Sequence, residues 1–329
     1  MFVTAAAGAR DNYQVPLALY ESGLLASHVT DFYTPDELIK SGGFRLIKNP
    51  KLQGKLLNRN NPFLPSRFIH NSAAVAFGKL GLRFLGKSSL LRSFNEQDAI
   101  SMASLKQARQ KEAGLLAYAG YAYKAFISEK REERIRGLVQ YHPHITLSAK
   151  ILKEDLERYP ILTDALASIL ADEKDPTNQP ELEIADFIIC CSSFTLKSCL
   201  YVGIPPYKIS VIPYGIDRAI VDRSNTHEKQ KKEEAESEQN FQKTTFEKAS
   251  LLDAKKNVCR FIFVGSGIHR KGLHHLLIAW QKASLKYSIL VIVNRYIDPQ
   301  IRQNFDPGAN VEWRTNVSKE ELRYLYDSS

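Results

Sequence analysis

The run Phe261-Ile262-Phe263-Val264 passes directly into Gly265-Ser266-Gly267, and from Leu273 onward apolar residues recur at helical spacing as Leu273, Leu276, Leu277 and Trp280. Four apolar residues in a row suit a strand covered on both faces, which is the environment of a parallel sheet. The N-terminus carries the same pattern. Residues 2–7 read as a strand, Gly8 opens a turn, a helix runs from about Tyr13 to Leu25, and His28 to Tyr33 read as a second strand. A strand, a helix and a strand in so short a stretch form a βαβ unit, so the expected class is α/β with doubly wound parallel sheets.

The remaining segments extend this reading. Residues 101–127 and 147–175 are expected as helices, Gly137 to His144 as a short buried strand, and Phe187 to Cys191 and Lys208 to Ile212 as two more. Pro213-Tyr214-Gly215 then breaks the chain, which sets an expected boundary between an N-terminal domain, 1–212, and a C-terminal one, 213–329. From 222 to 257 the composition turns to Lys, Glu, Gln, Ser and Thr, too polar to offset the entropy of ordering, so a disordered insertion is expected there. Beyond the glycine loop, Tyr287 to Val293 and Val311 to Trp313 read as strands and Ser318 to Tyr326 as a helix.

In open parallel sheets ligands sit at the carboxyl ends of the strands. That rule marks Gly8, Arg10 and Asp11 after the first strand, and His142 after the strand at 137, as binding-edge residues. A simple tight turn accounts for Gly8 equally well. Ser192 and Ser193 follow another strand, as helix caps or as hydroxyl ligands, and Tyr214 and Gly215 stand at the hinge. The loop from Gly265 to Gly272 suits a diphosphate, because a helix start offers unpaired N–H groups and Arg270 and Lys271 add charge. An ordinary strand-to-helix connection with two solvated cations is the other reading.

Charge and cysteine usage limit the partners. Between Glu37 and Glu96 there is no acidic residue, while Lys40, Arg59, Arg67, Lys79, Arg83, Lys87 and Arg92 all fall there, within a chain of net charge +9. The stretch 38–95 fits an anionic membrane surface or a lipid-linked acceptor, a merely solvated face, or nucleic acid; for the last, no reader motif accompanies the charges. The four cysteines, Cys190, Cys191, Cys199 and Cys259, lack metal-type spacing and read as reduced, mostly buried thiols. With no apolar run of spanning length, the expectation is a cytoplasmic protein, peripheral to a membrane at most, with no metal site.

Taken in order, these pieces resemble the retaining glycosyltransferases of family 4, the "group 1" type, with the GT-B architecture of two Rossmann-like domains. The resemblance rests on Glu183 to Phe194 followed by Gly203-Ile204-Pro205, on Val211 to Asp217, and on Phe263-Val264-Gly265 with Lys271-Gly272. It implies a sugar moved from a nucleoside-diphosphate donor, in a cleft between the domains, to a glycan, lipid-linked or other acceptor with retention of configuration. No cofactor beyond that co-substrate is implied. By the same resemblance Gly265, Ser266, Arg270 and Lys271 hold the donor diphosphate, with Ser266 where the family usually has arginine. His142 faces the donor sugar, and Gly8 matches the glycine of the family's first loop. The family's paired glutamates should follow Asp327, so the expectation is a chain that stops within its second domain. The alternative is a GT-B-like protein that binds a nucleotide sugar, or a membrane surface, without turnover.

Overall fold

The computed structural model describes residues 1–41, 44, 46–72, 75, 95–130, 133–162, 178–215, 258–305, 307–308 and 310–329. The insertion expected at 222–257 lies outside them, as do Lys79, Arg83, Lys87 and Arg92 of the cationic stretch. Two compact units are present: Met1–Ser148 with Asp172–Tyr214, and Ala149–Ala171 with Gly215–Ser329. The described residues 149–162 thus fall in the second unit, whereas the boundary expected at 212 set them in the first. The reason is apolar: Leu156, Tyr159 and Leu162 pack with Leu273, Ile301 and Phe305.

The first unit is a seven-stranded sheet in the order β3-β2-β1-β4-β5-β6-β7. Its strands are β1 (Phe2–Ala5), β2 (Leu25–Thr30), β3 (Ile69–Asn71), β4 (Gly114–Tyr118), β5 (Arg136–Gln140), β6 (Phe187–Cys190) and β7 (Ile209–Val211). All pair in parallel. β2 and β5 are buried along their whole length, as strands sandwiched between helix layers must be. The winding reverses between β1 and β4, and there the loops leaving the two strands diverge to open a crevice.

One expectation fails in this unit. Residues 101–127 are not a single helix: a helix closes at Gln110, the chain turns through Lys111 and Glu112, and β4 begins at Gly114. Glu112 has φ +49°, which no continuing helix allows. Leu115, Leu116 and Tyr118 imitated helical spacing because a short strand buried on both faces has no period of its own. β3 also went unread.

The second unit holds three parallel strands in the order β10-β9-β8, namely β8 (Cys259–Val264), β9 (Ser288–Asn294) and β10 (Val311–Thr315). β9 shows why it folds so. Leu290 and Ile292 pack with Leu273, Leu277 and Trp280 of the helix Leu273–Ala283 on one face. Val291 and Val293 pack with Leu325 of the helix Lys319–Asp327 on the other. This alternation gives each face its own helix, the arrangement of one βαβαβ half of a dinucleotide-binding domain. The class read from sequence, parallel α/β in two Rossmann-like units, is the one observed.

Gly137 in β5 supplies a test of this packing. A Cβ there would collide with the Phe187 ring and approach Leu116 Cδ1 to 2.8 Å, and that ring is itself held edge-on to Phe2. Gly137→Ala is expected to cost roughly 1–3 kcal/mol by overpacking. Urea unfolding should show a lower midpoint at unchanged slope, and an unchanged midpoint would mean that the sheet centre is looser than described.

Candidate functional site

At the switch point β1 is followed by Gly8, which has φ +78°, and the chain runs through Asp11, Asn12 and Tyr13 with φ +44°, +54° and +62°. Three consecutive left-handed residues other than glycine cost on the order of 1 kcal/mol or more each, so the surroundings must enforce them. Burial of Tyr13 does so. Its ring is 1% exposed and stands edge-on to both His28 and Tyr33. Gly8 is pinned as well, since its N–H donates to Asp31 Oδ1 at 2.7 Å and Arg59 grips the same carboxylate at 2.9 and 3.1 Å. The Gly8 amide is therefore engaged within the fold. Beside it lies a cavity of about 500 Å³ whose walls include Gly8, Phe32, Lys55 and Arg59.

Across the switch point, Tyr118 at the end of β4 donates its hydroxyl to Asp11 Oδ2 at 2.5 Å. The next loop is fixed by Glu181, whose carboxylate accepts from the N–H groups of Gly120, Ala122 and Tyr123. Arg10 lies over the Tyr141 ring at 4.5 Å, and His142 is tilted against the same ring at 4.4 Å. The neighbours Arg10 and Asp11 and the distant His142 thus share one edge with Tyr118 and Tyr141. Burial raises the Asp11 carboxyl above its ordinary value, against the bonds from Tyr118 and Gln14 and the charge of Arg10. A carboxyl so placed, half-buried and held by a tyrosine, suits proton transfer.

The other first-unit candidates divide. Ser192 accepts from Thr195 N at 3.0 Å and caps the helix Ser193–Tyr201, so the geometry shows the capping role left open by the sequence. Ser193 is exposed on its first turn, and Tyr214 and Gly215 are exposed at the end of the unit. Of the cysteines, Cys190 and Cys199 are buried with sulfurs 3.8 Å apart, whereas Cys259 is exposed.

In the second unit the loop leaving β8 is less open than its glycines suggest. The N–H groups of Gly265, Gly267, Ile268, Lys271 and Gly272 bond to Val293, Tyr296, Ser266, Ile268 and His269 carbonyls respectively. Gly267 is required by contact, since a Cβ would meet Ile297 at 2.8 Å. The loop is self-bonded, and the expected row of unpaired donors is reduced accordingly. Gly265 and Ser266 border a cavity of about 350 Å³ with Asn294, Arg295, Asn316 and Ser318, at the carboxyl ends of all three strands. Arg270 borders a different cavity, of about 320 Å³, with Asp155, His269 and His275, while Lys271 is exposed.

The residue that sequence reading missed is Asn294. It is 4% exposed, lies at the last position of β9, and neither its amide nitrogen nor its oxygen has a hydrogen-bond partner among the described residues. A buried unsatisfied amide costs about 1–3 kcal/mol, so the fold carries it without internal return. Its signal was present, as a polar residue closing an apolar strand at the carboxyl edge. Also unread were Asp155, His269 and His274, whose ligand-type atoms lie within 4.8 Å of one another.

No family model and no curated protein matches this sequence. Solved structures give loose likenesses of chain trace. The UDP-GlcNAc 2-epimerase of Neisseria meningitidis bound to UDP-GlcNAc aligns over 100% of this chain and 75% of its own, at 12% identity and TM-score 0.44. Anabaena HepE in complex with UDP-glucose aligns over 96% and 69%, at 12% and 0.42. Phytolacca americana UGT2, complexed with UDP-2-fluoro-glucose and pterostilbene, aligns over 97% and 71%, at 12% and 0.40. Among the described residues no helix is long and apolar enough to cross a membrane.

Asp11 generates a prediction with a definite sign. A raised carboxyl pKa in the folded state means that ionisation opposes folding, fully above the folded value and not at all below the ordinary 3.8. Asparagine keeps an acceptor for Tyr118 and tolerates positive φ better than most residues. Asp11→Asn should therefore raise the thermal midpoint at pH 7, with the gain shrinking toward pH 3. Equal midpoints at both pH values would show that Asp11 is not desolvated.

Proposed function

We propose that this chain binds a nucleoside-diphosphate sugar at the carboxyl edge of β8, β9 and β10 and transfers the sugar to an acceptor hydroxyl. The observation that carries the reading is Asn294, whose buried amide offers one donor group and one acceptor to a cavity that Ser266 and Arg295 also border. A ligand with hydroxyl or base edges and a phosphate answers all three groups. Arg295 and Ser266 serve the diphosphate directly. Arg270 and Lys271, exposed on the neighbouring turn, add cationic charge. Metal-free departure of a diphosphate needs such charge rather than a strong acid.

In the first unit Gly8, Arg10, Asp11, His142 and Tyr214 serve the acceptor side, with Gly215 just beyond it. Lys55 favours an anionic acceptor, lipid-linked or otherwise, in the cavity beside Gly8. The family resemblance assigns retention, with the leaving phosphate taking the acceptor proton and His142 facing the sugar. The buried Asp11 carboxyl favours a second reading, in which Asp11 takes that proton while the acceptor oxygen bonds the anomeric carbon and the phosphate bond breaks, giving inversion.

Calorimetry with UDP-glucose and UDP-GlcNAc tests donor binding. Arg295→Ala should weaken it at least about tenfold, as loss of a charge-assisted contact implies. Asn294→Leu should abolish it while raising the thermal midpoint of the free protein, since the orphaned amide is gone. Unchanged affinity in both variants would remove the reading. The anomeric configuration of the product, read by proton NMR, separates the two mechanisms: inversion lost in Asp11→Asn assigns the base, and retention that survives Asp11→Asn assigns the phosphate.

A further inference from the structure

Away from the cavity of Asn294, three imidazoles converge on one carboxylate. Asp155 stands near the end of the helix Ile145–Arg158, His269 in the short turn His269–Lys271, and His274 and His275 in the first turn of the helix Leu273–Ala283. The Nε2 atoms of His269 and His274 lie 2.6 and 2.9 Å from Asp155 Oδ2, and that of His275 lies 3.1 Å from Oδ1. The His269 and His274 rings are stacked, 4.5 Å apart and 12° from parallel. Both are buried, at 3% and 0% exposure.

Ordinary hydrogen bonding does not account for this arrangement. His274 bonds Asp155 in good geometry, but His269 Nε2, although closer, makes no hydrogen bond, and neither ring's Nδ1 has a partner. Two nitrogens thus converge on one oxygen while only one forms a hydrogen bond with it. Both rings are buried beside a carboxylate, and imidazole nitrogen and carboxylate oxygen are metal-ligating groups.

We infer that Asp155, His269 and His274 form a site for a divalent transition metal of the zinc type, with His275 holding the Asp155 carboxylate from outside. Two imidazole nitrogens with a carboxylate oxygen select zinc over magnesium or calcium, which take oxygen alone. Tetrahedral bonds of about 2.0–2.1 Å would set the ligand atoms roughly 3.3 Å apart, within the 4.8 Å that now spans them. The site would tie the helix carrying Asp155 to the turn carrying Arg270. The unpartnered Nδ1 atoms lack the outer hydrogen bonds that raise a ligating histidine's basicity, so affinity should fall below that of a fully buttressed site. This inference rests on the cluster itself and not on sugar transfer.

The test uses the full chain, stripped with chelator and titrated with zinc chloride, then with cobalt chloride. One zinc per chain should bind and raise the thermal midpoint. Cobalt should give the intense visible bands of a tetrahedral site without the near-ultraviolet band of a thiolate ligand, which excludes the exposed Cys259. Asp155→Asn and His269→Ala should each weaken zinc at least about 100-fold, because even an outer-shell partner is worth about 10 to 100. His275 is half-exposed, so His275→Ala should fold normally and still lose about tenfold or more. Should the buried variants fail to fold, the wild-type cobalt spectrum and His275→Ala decide. No zinc uptake, a thiolate band, or full affinity in His275→Ala with a weak octahedral cobalt spectrum would overturn the site and leave the sugar-transfer reading untouched.

Discussion

Polar side chains are buried where parallel strands end, and the fold does not fully satisfy them. Asp11 follows the exit of β1 with its carboxyl raised by desolvation, and Asn294 closes β9 with an amide that no described residue answers. Each costs stability that a carboxamide at the first position or a leucine at the second would restore. A residue kept at such a cost, at the edge where sheet topology opens a crevice, is best explained by a ligand that repays it.

The rest of the architecture serves these two positions. In the first unit, the left-handed run from Asp11 to Tyr13 is enforced by the burial of Tyr13, while Asp31 and Arg59 fix Gly8 and Glu181 fixes the loop after β4. The Asp11 to Tyr118 hydrogen bond therefore joins two rigid platforms on either side of the switch point. In the second unit, helices cover both faces of β9, and Asn294 closes its carboxyl end. Strain and desolvation are concentrated where chemistry would occur.

The sequence disclosed what depends on local pattern. Apolar runs followed by glycine marked β1, β8 and the helix at Leu273, and with them the parallel class. It lost β4 because Gly114 to Tyr118 is too short and too uniformly apolar to show a period, and because the turn at Glu112 is made by a residue that seldom adopts positive φ. Among site residues, Arg10, Asp11 and His142 were legible as strand exits, and the structure gathers them on one edge. Arg270 was grouped with Gly265 from proximity in sequence, yet the turn at 269–271 directs it to another cavity. Asn294's lack of partners and the approach of Asp155 to His269 are facts of three-dimensional packing, and no spacing rule encodes them.

The central claim is that the carboxyl ends of β8, β9 and β10 form a ligand face. Backbone hydrogen exchange in the presence and absence of saturating UDP-glucose measures this directly. The account predicts slowed exchange at Ser266, Arg295 and 316–318, with no change at the opposite, amino ends of the strands around Tyr287 and Asn310. Protection at those amino ends with none at Ser266 and Arg295 would contradict it.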